Sequence, residues 1–279
     1  MDARQFCRQD VAPPHSDLAC ALKGLDANTE LALLGCFAFH QRVCDIPHRA
    51  SERQLAETQL QWWRTQLTAD AHSTHPSLQA MASLRARTPA ITPLLSALLD
   101  TVEQDIDFAG FAEQAELDGF LQQRGELLLQ LLGYALNVAL TSDTAKAIGG
   151  FLEYCQLVQD FARHASAHVV YLPYQHLGAH SLSADQLCQR VDSDLRAVFS
   201  AQTAHQRALL REGLQRLDRS QAKQLAPVLI LLALRSRWLA ATEADGYALQ
   251  RYRLQLGGWQ RWQTRLMTQL KLATGSFAG

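Results

Sequence analysis

Apolar residues recur along this chain with helical spacing for most of its length. Ile148, Leu152, Cys155 and Ala162 fall close to one face, while Gln156, Asp160 and His164, four residues apart, line another. That pattern predicts a helix with one face for packing and one for chemistry. It should stop before the β-branched pair Val169 and Val170. Tyr171-Leu172-Pro173 then turns the chain, because the residue before a proline is pushed out of the α region. Ala56, Leu60, Trp63 and Leu67 recur at i, i+4, i+7 and i+11 behind Ser51-x-x-Gln54, a capping-box pattern that predicts a helix start. Leu127 to Leu140 is apolar nearly all round, which predicts a central buried helix. Leu18 to Cys44 reads as one or two helices ending near Pro47. Ser183-Ala184-Asp185-Gln186 is a second capping box, and its helix should run through Leu187, Val191 and Leu195. Further helices are expected over Ala204 to Leu217, Ser220 to Thr242 and Tyr247 to Ala273. Residues 1–16, with Pro13-Pro14, read as a loose leader, and 17–279 as a single all-α domain without linker or repeat.

Composition agrees with a helical globular protein: 48% hydrophobic residues with 8 Pro and 15 Gly. Lys plus Arg number 26 against 27 Asp plus Glu, a net charge of −1, so no global basic field exists to attract nucleic acid. The start has no apolar signal region. The run Val228 to Leu234 is seven residues long and stops at Arg235, far short of a bilayer span. A cytoplasmic protein with no transmembrane segment is expected, with peripheral membrane contact left open. Six cysteines without Cys-x-x-Cys pairs read as reduced thiols.

Three constellations invite a chemical reading. Asp100, Glu103, Asp105 and Asp107 form an acidic cluster, read as a solvated helix end. Trp62 and Trp63 are read as core and its flank. Cys36, His40, Cys44 and His48 make a ladder at i+4 spacing, with Cys behaving as a small core hydrophobe.

The stretch Gly149 to Leu182 resembles the second signature of the squalene/phytoene synthase family, Asn-x-x-Arg-Asp-x-x-Glu-Asp leading into Gly-Arg-x-Tyr-Leu-Pro. Tyr171, Leu172 and Pro173 match its end. Gln156 then stands at the Asn, Gln159 at the Arg, Asp160 at the first Asp, Arg163 at the Glu, His164 at the last Asp, and Val169 at the second Arg. CFAFHQRVCDIPHR resembles the first signature, Tyr-x-Phe-Cys-Arg-x-x-Asp-Asp-x-x-Asp. Phe39 matches, Asp45 matches the second Asp, and Cys44 and His48 replace the first and third. QLQWWRTQL and His75-Pro76 resemble further family segments, so the resemblance runs over roughly 30–270.

This resemblance implies an isoprenoid-synthase-type helical bundle. Its apolar cavity would be lined by the Leu127 to Leu140, Gly149 to His164 and Val228 to Leu239 helices. Family members join two prenyl diphosphates head to head, with Mg²⁺ held by facing carboxylates. Of those positions only Asp45 and Asp160 keep a carboxylate. Asp45, Asp160 and Tyr171 are therefore the remnant catalytic positions, and Phe39, Gln156 and Arg163 the candidate ligand contacts. In the family fold the two signature helices face each other, so Cys44, His48, Asp160 and His164 form a candidate zinc-type set. The expectation is a catalytically silent member without cofactor, binding a prenyl diphosphate or quinone-like lipid or a protein partner in complex assembly. A mitochondrial complex I assembly factor is similar in carrying such a domain. The alternative is a prenyltransferase with altered metal ligands, using Mg²⁺ if catalytic. That alternative gains if Asp105 or Glu153 faces the cavity.

Overall fold

The computed structural model describes residues 1–50, 52–69, 73–188, 196–249 and 251–275, which contain sixteen helices and no strand. In chain order the helices are α1 (Ala3–Val11), α2 (Asp17–Ala21), α3 (Ala27–Cys44), α4 (Ile46–Arg49), α5 (Arg53–Thr68), α6 (Pro76–Ala80), α7 (Ala82–Arg87) and α8 (Ile91–Glu103). They continue as α9 (Gln114–Leu136), α10 (Ser142–Ser166), α11 (Tyr174–Ala179), α12 (Ala184–Cys188), α13 (Arg196–Gln215), α14 (Arg219–Gln224), α15 (Ala226–Ala244) and α16 (Gly258–Thr274).

The two longest helices, α9 and α10, form the central seam. They approach so closely at Gly125 and Gly149 that a Cβ on either would overlap the backbone of the other. Around this seam α3 and α8 pack on α9, and α13 and α15 pack on α10. Helix α10 starts at Thr141, whose side chain accepts from the Thr144 N–H. It ends where His168 takes φ +60° and the Val169 N–H donates to the His164 carbonyl. The predicted stop before Val169 is therefore met, and Val170, Tyr171 and Leu172 pass directly into the core. Helix α9 closes at Asn137 in the left-handed conformation, so the expected Leu127 to Leu140 helix is the C-terminal half of a longer one that ends at Leu136.

Several expectations are corrected. Within the stretch expected as a loose leader, residues 3–11 are helical, with Asp2 capping the Gln5 N–H and Cys7 fully buried against α3 and α6. The helix expected over Ser220 to Thr242 divides at Leu225, because Pro227 must sit in a first turn. A capping box between Asp218 and Gln221 starts the short α14 ahead of it. The helix expected from Tyr247 begins only at Gly258. Tyr247 itself has φ +56°, and its ring stacks on Phe199 while its hydroxyl meets Thr203. Ser51 lies outside the described residues; the helix after it has Glu52 at its N-cap with no side-chain cap. The Ser183–Gln186 box forms, with both reciprocal bonds present, while Val191 and Leu195 lie outside the described residues. Trp63 is buried edge-on to Phe39 and beside His75, and Trp62 flanks it at the surface.

Candidate functional site

A cavity of about 520 Å³ opens between α1, α3, α4, α9, α10 and α15. Leu18, Phe37, Phe120, Leu121, Leu128, Leu152, Leu157 and Leu231 give it an apolar wall. Beyond that lining it carries four carboxylates, Asp10, Asp45, Glu153 and Asp160, and five guanidiniums, Arg49, Arg124, Arg163, Arg235 and Arg253. The α9 wall comes from Phe120 to Leu128, N-terminal to most of the stretch expected to supply it.

The two remnant carboxylates are joined by a guanidinium. Arg163, partly exposed at the mouth, donates to Asp45 Oδ1 at 3.0 Å and lies 3.2 Å from Asp160 Oδ2. Asp45 Oδ2 takes Arg49 at 2.9 Å. Asp160 also accepts from Gln156 through Oδ2, and its Oδ1 faces Arg253 at 3.8 Å. Helix periodicity explains the meeting: Gln156, Asp160 and Arg163 lie three and four apart on α10, while Asp45 and Arg49 are four apart across the α3–α4 junction. Pro47 does not end this register, since it sits in the first turn of α4.

Deeper in, His48 and His164 face each other with ring centroids 4.5 Å apart, and the Tyr171 hydroxyl lies 3.0 Å from His48 Nε2. Burial, then the neighbouring Arg163 and Arg124, pull His48 down to about 4. Burial and the opposing His48 pull His164 down to about 3. Both rings are therefore neutral near pH 7. The Nδ1 atoms of both are buried without a hydrogen-bond partner among the described residues. Tyr171, pushed up to about 12 by burial, stacks on Phe108 and Phe120.

A third group lies across the cavity. His40 Nε2 is 3.2 Å from Glu153 Oε1 and 3.6 Å from Cys44 Sγ. Burial opposes a charge on His40, yet Cys44 and Glu153 outweigh it and hold its pKa well above the ordinary value. Glu153, against the same burial, is held down by His40.

Of the sequence-predicted residues, Asp45, Asp160, Gln156, Arg163, Cys44, His48, His164 and Tyr171 all line this one cavity. Phe39 does not: it is fully buried behind the wall against Trp63, and Phe37 takes the cavity side of α3. Cys36 also leaves the ladder, with its Sγ 3.5 Å from Met81 Sδ. Asp105 is buried in an ion pair with Arg124 and is not on the wall, whereas Glu153 is. The remaining acidic residues of that cluster pair at the surface, Asp100 and Glu103 with Arg64 and Asp107 with Arg53. Sequence reasoning missed Asp10, Arg124, Arg235 and Arg253. The available signal for Arg235 was a cation ending an apolar helical run, which a buried helix tolerates only beside a polar space.

As arranged here, the side chains offer no ready set for the Mg²⁺ or the Zn²⁺ of the alternative readings. Magnesium needs free hard oxygens from facing carboxylates, and here both oxygens of Asp45 and of Asp160 already face guanidinium or amide groups. The candidate zinc set does not converge either, because Cys44 turns to His40 while Asp160 turns to Arg163. Among the described residues no group of three or more His, Cys, Asp or Glu side chains is arranged to hold a metal ion.

The squalene/phytoene synthase family model matches residues 14–260. A dehydrosqualene synthase solved in complex with ligand superposes with a TM-score of 0.79 at 14% identity, over 98% of this chain and 97% of that one. Squalene synthase HpnC from Alicyclobacillus acidocaldarius superposes with a TM-score of 0.69 at 17% identity, over 88% and 94%. These structures share the isoprenoid-synthase-type helical fold with this chain. None of the curated proteins matches the sequence significantly.

Proposed function

The chain belongs to the squalene/phytoene synthase family, and from that premise we propose that it is a catalytically silent member that binds an anionic prenyl-type lipid without a metal. The observation that carries this reading is the Asp45–Arg163–Asp160 bridge. A guanidinium there holds the two remnant carboxylates that, by family resemblance, would otherwise clamp Mg²⁺. A fixed cation can neutralise a phosphate headgroup, but it cannot follow a departing diphosphate as an exchangeable ion does.

The rest of the cavity supports binding. Arg235 reaches from α15 to Gln159, where the family pattern has an arginine, so a guanidinium is restored from the opposite helix. Burial disfavours its charge and makes an anionic partner favourable. The leucine and phenylalanine wall suits a prenyl chain. The dehydrosqualene synthase that shares this fold was solved with a ligand, which agrees with a cavity built for occupancy.

The test is calorimetric titration with farnesyl diphosphate in excess chelator, run beside an assay of diphosphate release with Mg²⁺ and with Mn²⁺. Binding without metal, weakened about tenfold by Arg235→Gln, together with no release, is expected. Release that Asp160→Ala abolishes would overturn the proposal. A single His164→Asp should not create turnover, since Arg163 still holds the site.

One observation favours a second reading, a prenyltransferase with altered metal ligands: Glu153 does face the cavity. Its engagement by His40 is what this reading must overcome. A role in complex assembly through a protein partner would show in the same titration as an absence of lipid binding.

A further inference from the structure

Helix α16 is covered on one side only. Thr268 and Leu272 are its buried residues, and it lies on α15, α2 and α14. The opposite side carries Trp259, Trp262, Leu266, Met267 and Leu270, exposed by 70, 51, 38, 51 and 51%. Their spacing of three, four, one and three residues keeps them on one stripe. These are five of the eleven exposed large hydrophobic side chains among the described residues, so this is a concentration and not scatter. The two indoles stack, with centroids 4.8 Å apart.

Charge selects the occupant. From Gly258 to Thr274 the helix has no acidic residue, and its charged residues are Arg261, Arg265 and Lys271. Arg261 is spent inward on Asp17, while Lys271 is exposed and Arg265 lies along the flank, reaching the Lys23 carbonyl. An exposed apolar stripe with cationic borders, in a chain whose net charge is −1, is complementary to an anionic lipid surface. Indoles favour that boundary because one end of the ring is apolar and the other carries an N–H. A second copy is a poorer fit, since twofold pairing of the stripes would set the same cations against each other. We propose that α16 lies in the interface of an anionic bilayer, Trp259 and Trp262 inserted, as a peripheral docking helix. No helix of the described residues is long and apolar enough to cross a membrane, so docking would be in the plane. The helix rests on α2 and α15, whose Leu18 and Leu231 line the cavity, so docking would bring the cavity wall close to the lipid phase. The inference stands on the surface alone and is independent of what the cavity binds.

The test is flotation of the full chain with vesicles of phosphatidylcholine alone and of phosphatidylcholine mixed with phosphatidylglycerol. Wild type should partition about tenfold more onto the mixed vesicles, with a blue shift of tryptophan emission. Lys271→Glu should lower that partition about fivefold. Trp259→Ser combined with Trp262→Ser and Leu270→Ser should abolish it while leaving circular dichroism and Tm unchanged. Wild type left unbound by both vesicle types would overturn the proposal. So would undiminished flotation of the triple variant, or a solution dimer that the triple variant dissociates.

Discussion

Helices α10 and α16 are both long and amphipathic and both rich in apolar side chains, yet the fold treats them in opposite ways. Helix α10 is enclosed by α9, α13 and α15, and its polar residues Glu153, Gln156, Gln159, Asp160, Arg163 and His164 are turned into a cavity. Helix α16 lies on the outside with its tryptophans toward solvent. The difference is made by what the neighbours leave room for. On α10 Gly149, facing Gly125 of α9, lets the partner helix come into backbone contact. On α16 the outer stripe stays largely exposed. Periodicity marks both faces of each helix, but only packing says which face is covered.

The sharpest way to break this contrast is at the seam. Gly149→Ala would drive a Cβ into the Gly125 backbone, and a loss of about 3 kcal/mol or more is expected in chemical denaturation. Its neighbour is the control. A Cβ at Gly150 would meet Gln122 no closer than 3.5 Å, so Gly150→Ala should be tolerated or stabilising.

The cavity face of α10 gives a pH signature. His164 and His48 titrate in the folded protein at about 3 and about 4, below their ordinary value of 6.5. Between pH 6.5 and about 4 the unfolded chain binds protons that the folded chain refuses. Their contribution is therefore complete above 6.5 and is lost as pH falls through this window. His40, held well above 6.5, is protonated in both states there and adds no slope, while His75, also at about 4, adds to it. Unfolding free energies measured across the window should fall with pH, and His164→Gln should flatten the fall. An unchanged slope would place the titration elsewhere.

Arg163→Gln tests the bridge itself. Asp45 keeps Arg49 and Asp160 keeps Gln156, so the expected cost is about 1–2 kcal/mol. If the variant instead gains Mg²⁺-dependent diphosphate release, the guanidinium was suppressing catalysis. At the small end, Trp259→Ala should change stability by no more than about 0.5 kcal/mol, because the ring buries little within the chain. A larger loss would mean that α16 is covered in the folded protein.

Parts of the candidate site were legible from spacing. Residues four apart on a helix share a face whatever the fold, so Gln156, Asp160 and His164 had to stand together. The family signatures then brought Asp45 opposite Asp160. What spacing cannot supply is direction and company. Phe39 was expected at the ligand and turned to Trp63 because the α5 stripe needed a partner there. Asp10 was hidden in a stretch that read as loose, since Pro13-Pro14 advertises a break without revealing that the helix before it docks. Arg253 sits in a segment that read as helical until Tyr247 took a left-handed conformation.

By itself, then, the sequence determined that the chain is all-α, where α10 stops, and which polar residues share a helical face, because each follows from local sterics and periodicity within about one or two turns. Only the tertiary structure decided that Arg163 would reach Asp45 as well, that Glu153 would belong to His40, and that Arg235 would answer Gln159. Those pairings join residues far apart in the chain, and their partners are set by which helices pack, a choice that no local pattern encodes.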